Sequence, residues 1–96
     1  MKKQLKSKIT KEQLKSKIIK EFSEVGMEVN FNTFKYYAWT EVGDEIVAYG
    51  ICSTDNGPHF FSFRYDGRSI SDFMARENYE SAKLFYYELM YEAVGF

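Results

Sequence analysis

The chain has 96 residues, with 13 Lys or Arg against 14 Asp or Glu and a formal net charge of −1. That length makes one domain around a single core and leaves no room for a second. A single cysteine excludes an internal disulfide and a cysteine-based zinc site, so a reducing, cytoplasmic setting is expected.

The near-zero total hides an asymmetry. Residues 1–20 hold eight Lys and one Glu, a balance of +7, whereas residues 21–96 hold five basic and thirteen acidic side chains, a balance of −8. Nine Phe, eight Tyr and one Trp make 19% of the chain aromatic, more rings than one modest interior takes, so some are expected to meet another molecule. No apolar run has the length of a signal or a membrane span, and no membrane partner is expected.

In chain order, the first feature is a duplication: QLKSKITKE is followed by QLKSKIIKE over residues 4–21. On an α-helix nine residues turn about 900°, which sets Leu5 and Leu14 on opposite faces, so the repeat does not build one apolar stripe. Thr10 to Gln13 has the form of a capping box, and Leu14, Ile18, Phe22 and Val25 follow at helical spacing, with Gly26 as a left-handed stop. The spacing predicts a helix over 11–25. Residues 1–10 then form a basic arm, in which Lys2, Lys3, Lys6 and Lys8 are candidate contacts to nucleic-acid phosphate, and residues 11–96 form a single α+β domain.

Met27, Val29 and Phe31 alternate with polar residues as in a strand, and Phe34, Tyr36 and Ala38 continue in the opposite phase, so Asn32-Thr33 marks a bulge or turn. Val42-Gly43-Asp44-Glu45, Asp55-Asn56-Gly57-Pro58 and Asp66-Gly67 read as three turns, making residues 27 to about 70 an antiparallel meander. If Trp39 faces Ala48 and Ala48 faces Phe63, one side collects Tyr37, Trp39, Ile46, Ala48, Gly50, Cys52, Phe61, Phe63 and Tyr65 and is assigned to the core. Phe34, Tyr36, Ala38, Thr40, Val47, Tyr49, Ile51, Phe60, Ser62 and Arg64 take the other side. That side is either covered by a helix or open to a partner, and Phe34, Tyr36, Tyr49, Ile51, Phe60 and Arg64 are the candidate partner-binding residues.

Ser71 and Asp72 are positioned to cap a turn at Phe73, and Asn78 to start a long helix over about 79–94. Ala82, Phe85, Tyr86, Leu89 and Ala93 make a stripe suited to the sheet, while Leu84, Tyr87, Tyr91 and Val94 lie nearly opposite. Leu84, Tyr87 and Tyr91 are therefore candidates for self-association. The fold expected is α+β: a helix, a three- to four-stranded antiparallel β-meander and a C-terminal helix, in α-β-β-β-α order.

Chemistry-bearing patterns are few. His59, across from Cys52 with Asp55 in the connecting turn, is the nearest thing to a nucleophile beside a base, and no motif surrounds it. Glycines sit singly at turns and element ends, not in a phosphate-binding loop, and the turn carboxylates lack the spacing of a calcium loop. No enzyme activity, cofactor or metal is expected. The order of elements, Gly57-Pro58-His59 leading into Phe61 or Phe63, and ESAKLF opening the last helix resemble the double-stranded RNA-binding domain over about residues 46–93. That family grips phosphate with a lysine cluster at the start of its last helix; here Arg76, Glu77, Asn78, Tyr79 and Glu80 stand there, so the electrostatic part of the affinity is missing.

Surplus rings on an acidic body suggest a small non-enzymatic module that masks a surface on a larger protein, such as a nucleic-acid-binding one, in the manner of phage or mobile-element inhibitors of host defence nucleases (anti-CRISPR-like). One alternative is single- or double-stranded nucleic-acid binding through Tyr36, Tyr49 and Phe60 with Arg64 and the Lys arm. Another is a structural homodimer.

Overall fold

The computed structural model describes residues 9–95. Helix α1 (Lys11–Glu24) leads through a 3-10 turn (Phe31–Thr33) into strands β1 (Lys35–Val42), β2 (Glu45–Thr54), β3 (Gly57–Tyr65) and β4 (Ile70–Arg76), and helix α2 (Tyr79–Val94) follows. The four strands form one antiparallel sheet in the order β1-β2-β3-β4. The α+β class and the meander stand as expected, with a fourth strand where a capped turn at Ser71-Asp72 had been anticipated. Ile70, Phe73 and Ala75 pack on the core from that strand, and Phe73 pairs with Phe63. The start of the arm, with Lys2, Lys3, Lys6 and Lys8, lies outside the described residues.

Both helix starts follow from their sequences. The Thr10 hydroxyl accepts from the Gln13 amide at 3.0 Å and the Gln13 side chain accepts from the Thr10 amide at 2.9 Å, a complete capping box. Gly26 ends α1 at φ 88°, which lets Met27 N–H reach back to the Phe22 carbonyl at 3.0 Å. The Asn78 side chain accepts from the Ser81 amide at 3.0 Å and starts α2. At the β3–β4 turn the Asp66 carboxylate accepts from the amides of Arg68 at 2.9 Å and Ser69 at 3.0 Å, which holds its carboxyl below the usual range.

The two helices lie on opposite faces of the sheet. Against α1 sit Leu14, Ile18 and Phe22 with Ile46, Ala48, Cys52, Phe61, Phe63 and Tyr65. Across the sheet, Tyr86 and Leu89 of α2 pack on Val47 and Tyr49. The pairs Trp39↔Ala48 and Ala48↔Phe63 are present, so most residues fall on the side the register assigns. The second face is therefore not open: α2 covers it.

Three assignments change at the start of the sheet, for one reason. The β1–β2 register slips between Tyr36 and Ala38, inserting Tyr37 as an extra residue. Upstream of that bulge the sides are exchanged. Phe34 and Tyr36 pack on the α1 core, their rings 4.6 and 5.9 Å from Phe61, whereas Tyr37 joins Tyr49 at 5.8 Å on the α2 side. The alternation from Met27 to Phe31 does not make a strand either. Its one ladder contact is the bridge Val29↔Thr54, and Phe31 opens the 3-10 turn, where the Asn30 side chain accepts from the Asn32 amide.

Candidate functional site

Cys52 and His59 do face each other across β2 and β3, but neither is poised for chemistry. The His59 Nδ1 lies 3.1 Å from the Gly57 carbonyl and 3.3 Å from the Thr54 hydroxyl, so the ring is held by its own hairpin and not by Cys52. Asp55 accepts from the Glu28 amide at 3.0 Å instead of orienting the imidazole. Cys52 is 1% exposed, and burial pushes its thiol up to about 12. Among the described residues no group of three or more His, Cys, Asp or Glu is arranged to hold a metal ion.

The raised thiol pKa has a consequence for stability. Above the ordinary value of 9.0 the unfolded chain loses the Cys52 proton while the folded chain keeps it, so stability is lost as pH rises towards 12. Burial and the Glu12 charge raise Tyr36, and the hydrogen bond to Tyr79 with burial raises Tyr49, adding to the loss above their ordinary 10.0. Urea unfolding should show about 2 kcal/mol less stability from Cys52 alone at pH 10.5 than at pH 8, and Cys52→Ala should flatten that part of the profile. A stability unchanged over this interval would contradict the burial argument.

The six residues proposed for partner contact do not form one surface. Phe34 and Tyr36 belong to the α1 core, and the Tyr36 hydroxyl donates to the Lys11 carbonyl at 3.4 Å. Arg64 is engaged by carboxylates: its Nη2 and Nε lie 2.9 and 3.0 Å from Glu45 Oε1, and its Nη1 lies 3.3 Å from Glu92 Oε1, tying β2 and β3 to α2. Tyr49, Ile51 and Phe60 are brought together at the end of the sheet that the first turn of α2 reaches. There Tyr79 lies 5.5 Å from Phe60 and 5.9 Å from Tyr37, and Tyr37 lies 6.3 Å from Phe60. Tyr37 is 43% and Tyr79 36% exposed. These two were not singled out from the sequence; the bulge that delivers Tyr37 has no local signature, and the first residue of a helix has no fixed face until the helix docks.

Lys35↔Ile51 and Phe60↔Arg76 are direct cross-strand pairs, so this ring cluster shares its face with Lys35 and Arg76, and Lys83 Nζ lies 5.6 Å from the Tyr79 ring centre. Glu77 and Glu80 flank the same helix start, and Glu77 Oε2 is 3.9 Å from His59 Nε2.

The outer side of α2 is the larger departure from an ordinary surface. Ala82, Tyr86 and Leu89 are buried against the sheet, yet Leu84 is 62%, Tyr87 49%, Tyr91 61% and Val94 38% exposed. Four large side chains at helical spacing thus form an exposed patch on the side of α2 away from the sheet. Glu80, Glu88 and Glu92 are also exposed on α2, whose one cation is Lys83. No helix among the described residues is long and apolar enough to cross a membrane. No family model, curated protein or solved structure matches the chain.

Proposed function

We propose that this protein is a small non-enzymatic binding module that covers a surface of a larger protein, with the outer side of α2 as its docking element. The observation that carries this reading is that α2 packs fully on the sheet with one side and still presents Leu84, Tyr87, Tyr91 and Val94 on the other. Such a stripe fits the helix-in-groove mode, in which apolar anchors at helical spacing enter an apolar groove on the partner. The carboxylates beside it suit a groove with a basic rim, such as the nucleic-acid site of a nuclease. A phage or mobile-element inhibitor of host defence, anti-CRISPR-like in action, is the biological setting in which blocking such a site has a use.

The test is capture by the tagged full chain from a bacterial lysate, with Leu84→Ser/Tyr87→Ser/Tyr91→Ser as the paired bait. These side chains are exposed, so the variant keeps its circular dichroism, and it should lose at least nine-tenths of any partner that the wild type retains. Equal recovery by both baits would reject the α2 surface.

A second reading is favoured by Lys35, Arg76 and Lys83 around the rings of Tyr37, Phe60 and Tyr79: single-stranded nucleic acid stacking on that cluster. Oligonucleotide retained at low salt and shed at high salt, and lost on Tyr37→Ser/Tyr79→Ser, would favour it over the protein reading.

A further inference from the structure

The spacing of the α2 stripe specifies more than an apolar surface. Leu84, Tyr87, Tyr91 and Val94 are separated by three, four and three residues, the a-d-a-d spacing of a two-stranded helix seam. At about 100° per residue this seam lies roughly 150° around α2 from the side that packs on the sheet, so two such helices meet without their sheets colliding.

Charge then selects a partner and an orientation. With Leu84 at a, Lys83 falls at g and Glu88 at e. In a parallel pair the g residue of one helix lies beside the e residue five positions on in the other, so each Lys83 faces the Glu88 of the second copy, twice over by symmetry. Within one helix residues five apart do not meet, so this complementarity has no use inside a single chain. In an antiparallel pair the e positions oppose each other, and Glu88 would meet Glu88. The parallel pair does bring the two Glu80 side chains towards each other at the preceding d position. They lie in the exposed first turn, where the helix dipole favours negative charge and water screens the repulsion.

We infer that in the free protein this stripe is occupied by a second copy of the same chain, the two α2 helices running parallel about a twofold axis. The inference rests on the stripe being a docking surface, and it adds a regulation: self-pairing and binding of a larger protein exclude each other. The seam from Leu84 to Val94 runs about 16 Å along α2 and falls at the small end of specific interfaces, so the pair is reversible and depends on concentration.

Sedimentation equilibrium of the purified full chain, with no other protein present, should show the mass rising from one chain towards two as concentration increases. Leu84→Ser/Tyr91→Ser should hold it at one chain. Lys83→Glu should weaken association about tenfold, and adding Glu88→Lys in the same chain should restore it. Under mild oxidation Leu84→Cys should crosslink to itself, because equivalent a positions face each other only in the parallel pair; native Cys52 is buried and does not compete. A single-chain mass at every concentration, no rescue by the double exchange, or crosslinking of Leu84→Cys only when mixed with Val94→Cys would each overturn the inference. Capture of a larger partner tests the docking reading separately, so a chain that pairs with itself but captures nothing refutes that reading and leaves this one standing.

Discussion

Gly50→Ala should lower the unfolding free energy by about 4 kcal/mol, a large share of the total stability of a domain of this size. A methyl group at Gly50 would stand 2.1 Å from the Lys35 carbonyl oxygen, 2.9 Å from the Tyr36 Cα and 2.9 Å from the Phe61 Cζ. Two of those atoms are backbone and cannot rotate away, and the third belongs to a ring with 0% exposure. Relief requires lifting the start of β1 from β2, which breaks the Tyr36↔Gly50 pair and withdraws Phe34 and Tyr36 from Phe61. The small residue thus makes room for the start of β1 beside β2. Urea unfolding followed by circular dichroism measures the loss, and a midpoint near that of the wild type would show that β1 does not pass so close.

Phe22→Ala should cost a similar amount, about 4 kcal/mol, for a different reason. Phe22 is 0% exposed and meets Phe61 edge to face at 6.3 Å and Phe73 at 5.2 Å. It joins α1 to both β3 and β4, so truncation leaves a cavity between the helix and two strands whose pairing keeps them from collapsing into it. Phe22→Leu keeps most of the volume and should cost about 1 kcal/mol, which separates loss of packing from any intolerance of change in α1. The same urea titration reads both variants, and equal losses for Ala and Leu would contradict the cavity explanation.

Much of the fold was legible because its signals are local. Thr10 and Gln13, Gly26 and Asn78 fix helix ends through their own backbone neighbours, and two-residue turns after Val42 and Thr54 fix the register of β2 against both flanking strands. What escaped was non-local. The bulge at Tyr37 is set by where β1 must run to pair with β2 and to cross Gly50, and nothing between residues 32 and 42 encodes it separately. The place of the fourth strand escaped because Ser71 and Asp72 mimic a helix cap, and β3 overrides that preference by offering an edge to pair with. Of the candidate site, the outer stripe of α2 was readable from periodicity alone. The ring cluster was not, because it joins residues from β1, β2, β3 and α2 that share a place only after the sheet has formed.

Strand follows strand in this sheet, but α1 comes first in the chain and finds its contacts in β2, β3 and β4. During synthesis Leu14, Ile18 and Phe22 therefore leave the ribosome well before Phe61 and Phe73 exist to receive them. For that interval the nascent helix displays a greasy edge between lysines at positions 11, 15, 17 and 20, whose charge keeps young chains apart until the sheet arrives.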